Sequence, residues 1–504
     1  MTNWLDRAIG WLSPQAALRR ARYRQALGIA LAYEGATTGR RAAGWNPGGT
    51  SANADIGVSL ARLRDRSRDL VQNNPHAARA IRVIQTDTVG TGITPRPVSK
   101  SEKLNERASE LWEIFARQSN ADALTPFYSQ QALVTRAIPE SGEALVRFRT
   151  RRPEDGFKIP LQLQVLESDY LDTAKIQDLQ GGGYILQGVQ FDIIGRRTGY
   201  WLFPQHPGEI ATISSTRFES AFVPASEILH VYEQLRPQQI RGVPWFAPVL
   251  LKFRDLAEYD EAEIVRKKIE SCLAAFVTQP EGGMDRPLGP MGADDATGRN
   301  RRTEQFAPGM IEYLKPGEDV KTSSPAGNVQ FSDYWISQLH SLAVGMNVMY
   351  EQLSGDLSRV NYSSFRGGMM QYRPFIEQFR WNVLIPLFCD PVWTRFCRTA
   401  YVAGLLTEPD VPVEWTAPNF QSVDPVKDAD ADLLELRDGT LTWPEAVARR
   451  GYDPEAQLRT IVDWNKKFDD AGIVLDCDPR KVTRGGIIQA SEKDGGNNAQ
   501  ASTR

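Results

Sequence analysis

Histidine and cysteine are scarce in this 504-residue chain, four of each, and their spacing excludes most of the chemistry they usually serve. His76, His206, His230 and His340 lie far apart with no HExxH pair, and Cys272, Cys389, Cys397 and Cys477 contain no CxxC, so no metal site is expected. A chain of this length needs no disulfide frame, and the cysteines read as reduced thiols. No GxxxxGK[ST] loop is present, which excludes the usual NTP-driven motor, and Gly181, Gly182 and Gly183 read as a bare turn. With no GxSxG elbow and no defensible pair of catalytic carboxylates, no catalytic residue, no cofactor and no enzymatic activity are expected.

Charge excess is also missing. Lys and Arg number 59 against 62 Asp and Glu, a formal charge of −3, which argues against tight nucleic-acid binding by massed phosphate contacts. No run of about 18 apolar residues occurs, and the opening MTNWLDRAIGWLSP is broken by Asp6 and Arg7, so neither a membrane span nor a signal peptide is expected. No period of 20 to 50 residues repeats.

What the chain does contain is organised around one helical run, Pro244 to Phe276. Phe246, Val249, Leu250, Phe253, Leu256 and Ala257 form one apolar stripe, and Ala262, Val265, Ile269, Cys272 and Phe276 a second on another side of the cylinder. Glu263 is placed to pair with Lys267. A domain-spanning core helix and a strut shared with another subunit both fit this pattern.

Before that run, arginine-rich helices carry Arg62, Arg64, Arg66 and Arg68, Asn74-Pro75 marks a helix start, and two further helices cover residues 101 to 140. The period then changes to alternation in EALVRFRT, LQLQVLE and a hairpin of YILQGVQFDII and TGYWLFPQ around Gly195-Arg196-Arg197, closing at Ile228 to Tyr232. After it, Thr278 to Gln305 reads as loop or extended hairpins, and Phe331, Trp335, Leu339, Leu342 and Met346 mark a returning helix. A loop with Gly355-Asp356 leads to a third helix from Tyr362, with Pro374 expected to kink it. Arg359, Arg366, Arg373 and Arg380 recur every seven residues, either as a solvated face or as a lining toward a polyanion. Short helices capped at Thr442 and Asp453 follow, and the polar end is expected to be disordered.

Five stretches, in order, carry a family likeness. They are RRARYRQALGIALAYEGA; LRDRSRDLVQNNPHAARAI with VGTGITPRP; EILHVYEQLRPQQIRGVPWFAPVL; MNVMYEQLSGDLSRVNYSSFRGGMMQYRPFIEQFRWNVLIPLF; and WTAPNFQSVDPVKDADA. Together they resemble the lambda-type portal proteins of tailed bacteriophages. The resemblance implies an α+β, portal-type fold with an α/β wing, two long stem helices, a small clip, a kinked channel helix and a helical crown. It divides the chain into N-terminal helices and wing (1–243), first stem helix (244–276), clip (277–329), second stem helix (330–346), channel loop, channel helix and return to the wing (347–420), crown (421–480) and tail (481–504).

The resemblance further implies a structural ring of about twelve copies at one capsid vertex. Double-stranded DNA would pass through it transiently and without sequence preference during packaging and ejection. Its partners would be the terminase large subunit, the major capsid protein and scaffold, and head-tail adaptors, with no membrane; its place would be the virion, and the host cytoplasm during assembly. Gln352, Ser354, Asp356, Ser358, Arg359, Arg366, Arg373 and Arg380 are then expected to face DNA. Val265, Ile269, Cys272, Glu263 and Lys267 would form the stem interface between subunits, and Arg286, Asp294, Asp295, Arg301 and Arg302 the clip contact with motor and adaptors. The alternatives are a phage-head nuclease or protease, which needs a metal or nucleophile, and a non-ring scaffold or adaptor, which predicts a monomer or small oligomer.

Overall fold

The computed structural model describes residues 22–23, 40–45, 47–209, 218–271, 275–278, 311–314, 331–420, 424–475, 478 and 480–481. It divides into a unit of residues 1–55 and a unit of residues 56–504. In the first, the described part contains a single 3-10 turn, Arg40–Ala42, and a hydrogen bond from Thr50 to Asp55.

Helices α1 (Ala52–Asn73) and α2 (Pro75–Val89) meet at Asn74, whose side chain accepts from the amides of His76 (3.0 Å) and Ala77 (3.1 Å), as its position before Pro75 predicts. Strand β1 (Thr94–Pro97) and helices α3 (Glu102–Gln118) and α4 (Phe127–Ser141) follow. Strands β2 (Glu143–Thr150), β3 (Leu161–Leu166) and β9 (Ile228–Tyr232) form an antiparallel sheet in the order β3-β2-β9. Ala144, Val146 and Phe148 on one face of β2 enter a core with Leu111, Trp112 and Phe115 of α3. Leu145, on the other face, packs against the smaller sheet.

That smaller sheet comprises β4 (Gln177–Asp178), β5 (Tyr184–Leu186), β6 (Val189–Phe191), β7 (Arg197–Leu202) and β8 (Ala221–Pro224), paired in sequence. The stretch YILQGVQFDII, expected to be one arm of a hairpin, is itself a hairpin. Gln187 and Gly188 both take positive φ (52° and 79°), the backbone of a two-residue turn that matches strand twist. A Cβ on Gly188 would lie 2.6 Å from the Asp172 carbonyl, so glycine is required there.

The central helix is shorter than the sequence suggests. Turns cover residues 245–249, helix α5 runs Leu250–Ser271, about 33 Å, and Phe276 lies on strand β10 (Ala275–Thr278). Pro244 and Pro248 remove two amide donors at the start, which holds the helix back to residue 250. Strand β10 pairs in parallel with β11 (Ile311–Leu314). Helix α6 (Phe331–Gly345) returns alongside α5, with Tyr259 of α5 stacked on Phe331 and edge-on to Tyr334.

Helix α7 (Tyr350–Ser354) lies in the next loop, and helix α8 (Tyr362–Phe379) begins at Asn361, whose side chain accepts from the Ser364 amide at 2.8 Å. Pro374 sits inside α8 without ending it. The irregularity comes later, as a ten-residue π-helical stretch, Arg380–Cys389, containing Pro386 and leading into α9 (Asp390–Val402). Strand β12 (Val413–Thr416) then pairs antiparallel with β1, Thr94 opposite Thr416. Trp393, Phe396 and Trp415 thereby join Trp112 in the core behind β2. Helices α10 (Pro425–Asp438), α11 (Trp443–Arg449) and α12 (Pro454–Ala471) end the described fold, with Thr442 and Glu445 forming the expected capping box and Asp453 accepting from the Glu455 amide.

Candidate functional site

The loop before α8 is tied to α2 through one carboxylate. Gln352 of α7 donates from Nε2 to Asp87 Oδ2 (3.2 Å), accepts from the Met349 amide (3.1 Å), and offers its own carbonyl to Arg79 Nε (3.1 Å). Asp87 also faces the Tyr372 phenol and Arg380, and burial pushes its carboxyl above the usual range against the pull of those neighbours. Nothing in the sequence reading singled out Asp87 or Arg79. The available signal was a lone acid in the apolar run IRVIQTDTV of α2.

The remaining loop residues divide into two kinds. Ser354 Oγ donates to the Tyr350 carbonyl (2.8 Å), and Asp356 accepts from the Ser358 amide (2.9 Å) and the Tyr350 hydroxyl (3.3 Å); the Ser358 hydroxyl and amide, with Tyr350 behind them, hold the Asp356 carboxyl below its ordinary value. These side chains shape the loop. Ser358 and Arg359 are exposed, with Arg359 4.0 Å from Asp333.

The four arginines differ in cover, although Arg373 and Arg380 both set their guanidinium groups over the Phe420 ring. Arg366 is exposed and 3.8 Å from Asp428 of α10, while Arg373 is half-buried with its guanidinium over the Phe420 ring. Arg380, expected to face DNA, is instead buried at 3% exposure and donates from Nε to the Thr88 carbonyl (2.7 Å) and from Nη2 to the Asp87 carbonyl. Drift of about 20° per heptad keeps it near the flank of Arg373, and the end of α2 packed against it is what buries it.

The first apolar stripe is covered except at its end: Phe246 and Val249, just before α5, and Leu250, Phe253 and Leu256 on it join α2, α6 and α8 in one core, while Ala257 is exposed. Beyond Tyr259, which packs on α6, the apolar side chains lose their cover. Ile264 and Val265 are 46% and 47% exposed, and Ala262 is exposed too. Glu263 pairs with Arg266 one turn on rather than with Lys267, which is exposed. The Ile269 side chain, Cys272, and Arg286, Asp294, Asp295, Arg301 and Arg302 lie outside the described residues.

The α1 arginines are partly structural. Arg64 is buried, donating to Ser168 Oγ (2.8 Å) and pairing with Asp169 (2.9 Å); Arg68 pairs with Asp169 (2.7 Å) and Glu167 (2.9 Å). Glu167, Asp169 and His206 converge as one group of potential metal ligands. Two guanidinium groups already occupy the carboxylates, which makes the cluster an ion-pair knot.

The profile described as "Phage portal protein, lambda family" matches residues 38–380, from before α1 to the end of α8. This chain belongs to that family. Relatives include the "Probable portal protein" of Halomonas phage phiHAP-1, 27% identical over 435 residues (82% of this chain, 81% of the relative). Another is "Portal protein B" of Escherichia phage lambda, 20% identical over 509 residues (89% and 92%). Among solved structures, a chain of "Neck of empty GTA particle computed with C6 symmetry" aligns over 81% of this chain and 94% of its own, with 15% identity and a TM-score of 0.41. For a portal-family chain, the elements within the matched span include the two-sided α5 and the loop with its helix α8, the places where the sequence pointed.

Proposed function

We propose that this chain is the subunit of a portal ring of about twelve copies at one capsid vertex, the channel for DNA packaging and ejection. The observation that carries this reading is the lambda-family match across residues 38–380. In this reading α5 and α6 are the stem, the chain between β10 and β11 is the clip that docks terminase and head-tail adaptors, and α10 to α12 are the crown. The uncovered Ile264 and Val265 support it, because a closed head-to-tail ring needs each copy to present an apolar face to the next. Ser358, Arg359, Arg366 and Arg373 are the DNA-facing candidates, with Gln352, Ser354 and Asp356 holding the loop in shape. Arg380 is withdrawn from that set. The near-neutral charge fits transient passage, since a strongly basic bore would exchange counterions with every phosphate and hold the duplex.

Electron microscopy and particle mass of the purified protein test the reading. Rings of about twelve copies around an open hole are expected; a stable dimer or tetramer of closed symmetry would overturn it.

A further inference from the structure

Strand β2 carries a second basic feature, away from α8. Arg147 and Arg149 stand on one face of the strand, and Arg151 continues the alternation just past its end, where its amide bonds to the Pro160 carbonyl at 2.9 Å. Side chains on one face of a strand recur about every 6.6–6.8 Å, so the three form a regular row. All three are partly exposed, and among the described residues none of them forms an ion pair.

Neutral amides hold two of the three guanidinium groups instead, those of Arg149 and Arg151. Arg149 donates from Nε to Gln164 Oε1 (2.8 Å), and Arg151 from Nε to Gln162 Oε1 (2.7 Å). Gln162 is itself buried and anchored, donating to the Gln118 (2.9 Å) and Asn120 (2.8 Å) carbonyls. The arginines are thus positioned without being neutralised. Partial burial, with repulsion from Arg147 and Arg151 behind it, pushes the Arg149 pKa down, the opposite of what an ion-paired surface arginine shows. A cavity of about 410 Å³ opens beside them, lined by Arg149, Arg151, Gln164, Asn120 and Asp122. Asp122 is the acid of this cavity, and its Oδ1 is taken by the Leu124 amide at 2.8 Å. Glu154 and Asp155, on the connection to β3, are exposed and unpaired with the row.

We propose that the row Arg147, Arg149 and Arg151 is a sequence-independent binding surface for the phosphate backbone of double-stranded DNA, separate from the α8 loop. The choice of duplex DNA as the polyanion rests on the portal reading above. The row itself rests on this chain's geometry: a rigid strand, fixed spacing, and pre-oriented planar donors that suit bidentate phosphate contacts. Attachment through a few such contacts is weak and strongly salt-dependent, consistent with a chain of net charge −3.

The test measures binding of the full-length protein to covalently closed circular duplex DNA and to linear duplex across 50–200 mM salt. Closed circles cannot thread a closed ring, so they report an outer surface whether or not the protein forms rings. The variant Arg147→Gln/Arg149→Gln/Arg151→Gln is compared with Arg366→Gln/Arg373→Gln, with circular dichroism and particle mass as controls. The expected result is a row variant that keeps its fold and particle mass, binds closed circles at least tenfold more weakly at 50 mM salt, and loses about two to three from the slope of log affinity against log salt. The α8 variant leaves closed-circle binding unchanged. Unchanged affinity and slope in the row variant overturn the proposal. So does a loss of particle mass with unaltered DNA binding, which marks the row as a contact between copies, or competition by polyglutamate as strong per charge as by DNA, which marks an acidic peptide as the partner. A stable dimer or tetramer of closed symmetry with closed-circle binding retained defeats the portal reading alone.

Discussion

Gln352 reaches across 265 residues of sequence to place its side-chain amide 3.2 Å from Asp87 Oδ2. A loop expected to present this glutamine to DNA instead uses it to fasten itself to α2. Replacement Asp87→Ala is therefore expected to speed amide exchange across residues 350–358, where the bond to Gln352 is lost. Global stability should change by no more than about 1 kcal/mol, because the burial that raises the Asp87 carboxyl already opposes its charge. Hydrogen-exchange mass spectrometry separates the two quantities; unchanged exchange in the loop counts against the tether.

Arg380 and the pair Arg366 and Arg373 should behave oppositely. Arg380→Ala removes the bonds to the buried carbonyls of Asp87 and Thr88 and is expected to cost about 2–3 kcal/mol in denaturant unfolding. Arg366→Gln with Arg373→Gln should leave unfolding within about 0.5 kcal/mol and lower packaged DNA length or packaging rate instead. If the pair alters neither quantity, α8 does not line a DNA path.

The Glu143 carboxylate is completely buried and accepts from Arg241, from His230 Nε2 (2.8 Å) and from the Gly242 amide (3.0 Å). Arg241 and His230 hold the carboxyl well below its ordinary value, while burial pushes the His230 imidazole below its own, leaving it neutral with Nδ1 3.3 Å from Arg197. Both shifts have one sign for stability. An acid with a depressed folded pKa contributes stability above its unfolded pKa, near 4.5, that is lost as pH falls further; a histidine kept neutral opposes folding progressively below about 6.5. Denaturant midpoints should fall from pH 7 to pH 5.5 through His230 and more steeply below 4.5 through Glu143. Glu143→Gln should lose about 3–5 kcal/mol at pH 7, by stranding Arg241, and flatten the acidic limb. A midpoint flat from pH 7 to 4 would contradict this assignment of charges.

Val265 is nearly half exposed on the part of α5 that no other described element covers. Val265→Asp is expected to leave circular dichroism and the unfolding midpoint of the single chain unchanged while preventing rings, as read by sedimentation velocity. Rings of normal mass from that variant would place the subunit contact elsewhere.

Local chemistry was legible in the sequence where a few neighbouring residues decide the outcome, as at Asn74-Pro75, Thr442 with Glu445, and Asp453. The alternating runs of β2 and β3 and the apolar stripe Phe246 to Leu256 were legible for the same reason. Less visible were effects that accumulate or act at a distance. The end of α2, distant in sequence, covered Arg380, a positive φ at Gln187 folded one apparent strand into two, and two prolines delayed α5 to residue 250. Glu143 and Arg241 stand 98 residues apart, and no local pattern marks two such charges as a buried pair.

The pairing of β1 with β12 sets a time order on the birth of this molecule. Thr94 leaves the ribosome 322 residues before Thr416, its partner, and Trp112 likewise precedes its core neighbours Trp393 and Trp415 by most of the chain. Nearly the whole chain must therefore be synthesised before the sheet of β2 has its back covered, so the apolar surface of α3 is left to chaperones or to transient collapse meanwhile. A ribosome stalled anywhere before Asp390 would release a chain whose α3 surface lacks the Trp393, Phe396 and Trp415 cover.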